Sequence, residues 1–161
     1  MFIAGIIACG LLADQKIDFW GQTLTNIVVW AFFLGWLRHA NATTQITLTA
    51  CLIYATIGEI FLSLVWGVYD YRLGAIPLFV PPGHALLFML GRAIAARAPA
   101  WIVWLIPLGA GPFVGLLVVT GASTLDALLF ALFLACLVFG RAKKLYAVMF
   151  VLALVMEIYG T

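Results

Sequence analysis

Charged side chains are scarce in this chain: eight lysines and arginines and six acids make up 9% of its 161 residues, where a soluble domain carries about a quarter. Set against 66% hydrophobic residues and a mean hydropathy of +1.21, that scarcity excludes an ordinary soluble fold. The net charge of +2 is too small and too scattered for a nucleic-acid surface. A Gly-rich phosphate loop and a dinucleotide fingerprint are both missing. Cysteine is almost absent too. Cys9, Cys51 and Cys136 lie singly in apolar runs, without C-x-x-C spacing or a neighbouring His, and read as small lipid- or core-facing residues. The opening MFIAGIIACG lacks the basic region and longer apolar core of a secretory signal, and so reads as a retained first membrane element. One His near the acidic residues, with no H-x-x-x-H or similar spacing, leaves no case for a metal, and no cofactor is expected.

What the chain does contain is apolar sequence, cut by charged residues, Gly and Pro into seven segments: 2–13, 20–37, 45–67, 73–91, 100–120, 125–140 and 145–159. A full span needs about 20 residues, so the first, sixth and seventh are short, and the count is six if one of them does not cross. The fold class expected is all-α: a polytopic transmembrane helix bundle forming a single integral-membrane domain over 1–161, in the plasma (inner) membrane. Its surroundings are the lipid bilayer, a lipophilic ligand or membrane protein partners, and no nucleic acid.

The basic residues orient the bundle. With the N-terminus inside, Arg38, Arg92, Arg97, Arg141, Lys143 and Lys144 fall on cytoplasmic connections, leaving only Lys16 and Arg72 outside. That partition obeys the positive-inside rule, so the N-terminus is expected in and the C-terminus out. The chain stops at Thr161, just after its last apolar segment, so the expectation is that function resides within or against the bilayer.

Polar and backbone-breaking residues gather between Glu59 and His84, EIFLSLVWGVYDYRLGAIPLFVPPGH. A carboxylate inside a membrane segment marks a functional site by default. Glu59 and Glu157 each come some 14 residues above the cytoplasmic edge, about 20 Å up at 1.5 Å per residue, and the similar GEIF and MEIY around them hint at an internal duplication. On an α-helix Glu59, Ser63 and Trp66 share a face. Trp66, Tyr69 and Tyr71 then form either a lid over Glu59 or an interfacial aromatic belt, with Asp70 and Arg72 among the headgroups.

Pro77, Pro81 and Pro82 are expected to hold the chain extended until Gly83, breaking a helix at Pro81–Pro82 so that VPPG lines a cavity into which His84 projects. The plainer alternative is a proline kink with His84 bonded to a neighbouring carbonyl. If Arg92 marks the cytoplasmic edge the break lies near mid-membrane; if Arg97 does, His84 rises by about 7 Å toward the level of Glu59.

Lesser polar residues need no chemistry. His39 reads as solvated beside Arg38, Asp126 as part of a helix N-terminus capped by Ser123 or Thr124, and Thr25 and Asn26 as interhelical glue. Gly111 and Gly115 read as a close-packing pair.

Over about 30 of the 161 residues, E…WGVYDYRLGAIPLFVPP resembles the membrane-embedded carotenoid hydratase-like family, the bisanhydrobacterioruberin hydratase relatives. An acidic helix is followed there by a G-x-Y-x-Y and LGP…VP pattern, which Gly67, Tyr69, Tyr71, Leu73, Gly74, Val80 and Pro81 match across a two-residue gap. Ala75 stands where that family has proline, and His84 falls in a stretch that is apolar or aromatic there. The resemblance implies addition of water to a terminal isoprenoid double bond.

Two functions are expected from these residues. The first is a non-catalytic subunit, or an assembly or binding partner, of a larger membrane complex. The second is an enzyme doing acid–base chemistry on an isoprenoid or carotenoid-like substrate. In that case Glu59 is the proton donor, Glu157, Asp70 and His84 hold the water or act as base, and Trp66, Tyr69, Tyr71, Pro81 and Pro82 line the substrate. An ion or proton pathway through Glu59, Asp70, His84 and Glu157 is the remaining use of the same groups.

Overall fold

The structure, a computed structural model, describes residues 19–67, 76–121 and 124–160 together with Gly5; for 19, 124–126 and 157–160 it describes the backbone alone. Among the described residues it is all-helical, with no strand. The helices are α1 (Phe19–His39), α2 (Ala42–Glu59), α3 (Val80–Arg97), α4 (Ile102–Val119), α5 (Thr124–Phe139) and α6 (Lys143–Gly160). A π-helical segment, Ile60–Val65, prolongs α2. Six of the seven expected segments thus recur as helices, and the first, at 2–13, lies outside the described residues apart from Gly5. Two helical runs, Ala42–Val65 of 24 residues and Ile102–Val119 of 18, are long and apolar enough to cross a membrane.

The contacts divide the chain into two compact units, Met1–Leu90 and Gly91–Thr161, with the division inside α3. In the first, α1 and α2 form an antiparallel hairpin closed by a two-residue connection, Ala40 and Asn41. Asn41 is the N-cap of α2, its side-chain oxygen accepting from the Thr44 N–H at 2.9 Å. At the other side of the turn the last carbonyls of α1 find side-chain partners: His39 Nδ1 lies 2.8 Å from the Gly35 oxygen, and Gln45 Nε2 donates to Leu37 at 3.1 Å. Val29 and Phe33 of α1, Leu48 of α2, and Phe79, Ala85 and Leu86 at the start of α3 make the core of this unit.

The second unit packs α4, α5 and α6 on one another. Its core is Val103, Phe133, Leu137 and Ala147, with the Phe133 and Phe150 rings stacked at 4.2 Å. Ala95 and Ala98, at the end of α3, pack on Val148. Lys144 Nζ donates to the Ala98 carbonyl at 2.8 Å, supplying a cation where α3 ends and its carbonyls lack helical partners. Helix α4 runs through Pro107 and Pro112. The close approach expected at Gly111 and Gly115 is absent: a Cβ on Gly111 would meet Phe130 at an ordinary 3.7 Å, and one on Gly115 would meet nothing within 4 Å.

The start of α3 corrects the reading of the prolines. The chain is not extended to Gly83; α3 begins at Val80, with Pro81 and Pro82 in its first turn. Proline lacks an N–H, but the first-turn N–H groups have no helical acceptor in any case, so the residues that would break a helix interior start one without loss. The turn before it is closed by Val80 N–H on the Pro77 carbonyl at 3.0 Å, and the helix by Gly83 N–H on Phe79 at 2.9 Å.

Candidate functional site

Glu59 ends α2 and is buried, with 8% of its surface exposed, and it is the one charged residue among the described residues that is buried. Directly beyond it the backbone changes from α to π. The Trp66 N–H donates to the Phe61 carbonyl at 2.9 Å, an i→i+5 bond that puts more residues into each turn than the 3.6 of an α-helix. Segments of this kind gather at functional sites because they re-aim the side chains around them. Trp66, expected on one face with Glu59 and Ser63, lies 53% exposed beyond that turn, edge-on to Phe61 at 5.8 Å.

Across from Glu59 stands His84. Its Nε2 lies 3.7 Å from Glu59 Oε1, and its Nδ1 lies 3.0 Å from the Val80 carbonyl oxygen. Of the two sequence readings of His84, the bond to a neighbouring carbonyl is the one seen. Helix α3 ends at Arg97, so His84 stands 13 residues, about 20 Å, from that end.

The two hydrogen-bonding positions of the imidazole fix what the pair can do. A carbonyl oxygen only accepts, so Nδ1 must carry a hydrogen. When a single proton lies between them, it sits either on Glu59 Oε1, donating to a bare Nε2, or on Nε2, facing a carboxylate, and in both cases the pair has no net charge. The 3.7 Å gap exceeds the ~3.2 Å limit of a direct hydrogen bond and suits an ion pair. With half of its side chain exposed, His84 has room to close it. A proton can pass between these groups without leaving a net charge in apolar surroundings, where an isolated charge is most costly.

The other site residues are dispersed. Pro82 is fully buried and Pro81 half-buried in the first turn of α3, where they set the backbone that carries His84. Tyr69, Asp70 and Tyr71 lie outside the described residues. Glu157 is on α6, in the second unit, and its side chain is likewise outside them. Among the described residues no three His, Cys, Asp or Glu side chains gather as a metal site would require. An open cleft of about 520 Å³ lies on α1 by Ala31, Phe32, Gly35, Trp36 and His39, toward the α1–α2 turn and away from the pair.

Two residues that sequence reasoning missed or misjudged bear on this unit. Trp30 Nε1 donates to the Leu78 carbonyl at 2.9 Å, tying α1 to the turn before α3. The available signal was position: 11 residues into α1, Trp30 is away from the helix ends where interfacial tryptophans sit, and its N–H needs a partner. Asn26, read as interhelical glue, leaves its buried Oδ1 without a hydrogen-bond partner.

No family model, curated protein or solved structure matches the chain. The functional reading therefore rests on the chemistry of Glu59 and His84.

Proposed function

We propose that this chain is an integral protein of the plasma (inner) membrane whose Glu59–His84 pair performs acid–base chemistry on a lipophilic substrate. The reaction class is addition of water to an isoprenoid or carotenoid-like double bond. The observation that carries the reading is the placing of a buried carboxyl 3.7 Å from an imidazole whose other nitrogen is committed to a backbone carbonyl. The long apolar runs Ala42–Val65 and Ile102–Val119, with large side chains such as Tyr54, Val65, Leu108 and Val119 exposed along them, support a membrane setting. So does the Lys144–Ala98 bond, which joins two connections that the positive-inside rule assigns to the same face.

In the proposed reaction Glu59, protonated, gives its proton to the less substituted carbon of the alkene, leaving a tertiary cation on the other. Water adds to that cation, and the proton it sheds passes to His84 Nε2 and back to Glu59. One C–H and one C–O bond form, the π bond and one O–H bond of water break, and no oxidant or reductant is needed. General acid–base catalysis of this type contributes about 10²–10⁴-fold.

A second reading has its own support. The same exposed side chains on the two long runs suit a partner helix as well as lipid, as in a non-catalytic subunit of a membrane complex. Purification in nanodiscs with mass spectrometry and an absorption spectrum separates the two. A bound polyene or isoprenoid without a protein partner is expected; a stoichiometric protein partner without such a ligand would replace the enzyme reading with the subunit one.

A further inference from the structure

We infer that Trp30 is the positioning residue of the Glu59–His84 pair, acting through the one carbonyl that the two prolines leave without a helical donor. This rests on the functional reading above and extends it to a residue on a different helix. An α-helix grows backward by bonding each earlier carbonyl to an N–H four residues on. The carbonyls of Pro77 and Leu78 would need the N–H groups of residues 81 and 82, and both are proline. Pro77 is satisfied by Val80 N–H at 3.0 Å. Leu78 has no such local recourse in the α pattern, and its oxygen takes the indole N–H of Trp30, 48 residues away, at 2.9 Å.

That bond fixes one end of α3 to the hairpin that carries Glu59. Trp30 packs edge-on to Phe33 at 5.8 Å, and Phe33 is buried in the same core as Leu48 of α2. His84 is six residues beyond Leu78, held to the first turn of α3 by its own bond to Val80. Chain length alone does not set the distance between Nε2 and Oε1. It depends on where the first turn of α3 sits against the hairpin, and the Trp30 N–H is the directional contact that pins it. Without that N–H the Leu78 carbonyl loses its protein donor and the turn is free to shift. A shift of about 1 Å is enough to cripple acid–base chemistry.

The test is a double-substitution cycle on the full chain in nanodiscs, read by the ¹⁵N chemical shifts of histidine side chains at one pH. His39 serves as internal control, since its Nδ1 contact with Gly35 involves neither Trp30 nor the pair. Glu59→Gln is expected to shift the ring signals of His84 and not those of His39. In a Trp30→Phe background the same substitution is expected to shift them by less than half as much, with His39 again unchanged. Replacement of Trp30 by benzothienylalanine, which keeps the ring system and lacks only the N–H, is expected to act like Trp30→Phe, and it decides the case if Trp30→Phe does not fold. An undiminished Glu59→Gln shift in the benzothienylalanine protein would overturn the role of Trp30 while leaving the pair intact. If Glu59→Gln shifts His84 in neither background, the pair itself is overturned.

Discussion

His84 Nε2 faces Glu59 Oε1 at 3.7 Å, although 25 residues and a change of helix separate the two in sequence. The approach requires α2 to deliver an acid at its last α-helical residue and α3 to start early enough to place an imidazole in its second turn. Buried ionisable groups rarely serve stability, since apolar replacements of similar volume are often neutral or stabilising. Replacing both groups, Glu59→Leu with His84→Leu, is therefore expected to keep or raise the thermal midpoint in detergent while abolishing turnover. A loss of about 3 kcal/mol or more in the double variant would instead mark the pair as structural.

Asn26 gives an independent check on the core of the first unit. Its buried Oδ1 has no partner, and an unsatisfied buried acceptor costs about 1–3 kcal/mol. Asn26→Leu, close in volume and free of polar atoms, is expected to stabilise the protein by about 1 kcal/mol, seen as a higher thermal midpoint. An equal loss would show that the amide has a partner in the folded protein after all.

Lys144 tests the junction between the end of α3 and the start of α6. Its ammonium donates to the Ala98 carbonyl at 2.8 Å, a charged donor at a helix C-terminus. Lys144→Met keeps the stem and removes the charge, so a loss of about 1 kcal/mol is expected, with Lys144→Arg retaining most of the stability. Equal midpoints for Lys144→Met and the parent protein would remove this contact from the account.

The helices are legible because charged residues and Gly bound the apolar runs: Arg38 at the end of α1, Gly140 between the last two runs and Lys143 at the start of α6. The boundaries of α3 are the ones that differ most, Val80–Arg97 against an expected 73–91. There the sequence is ambiguous for a physical reason, since a missing N–H breaks a helix interior and costs nothing in a first turn. Which of these applies depends on what donates to the Leu78 carbonyl, and that partner is Trp30, far away in the chain. The π segment after Glu59 was invisible for a related reason: IFLSLV has no residue that distinguishes i→i+5 from i→i+4 bonding. The contact of Glu59 with His84 was not legible, because helix rise gives depth along one segment and packing decides which helix faces meet. Nothing in the pattern of residue types could say that Asn26 would be left without a partner.

The measurement that tests the central claim most directly compares lipid extracts from cells expressing the parent protein, Glu59→Gln and His84→Gln, each supplied with an acyclic carotenoid or similar polyprene and analysed by mass spectrometry. Only the parent protein is expected to yield a product heavier than its substrate by one water, with both variants down by about 10²-fold or more. Equal product from all three, at equal protein levels, would contradict an acid–base role for the Glu59–His84 pair.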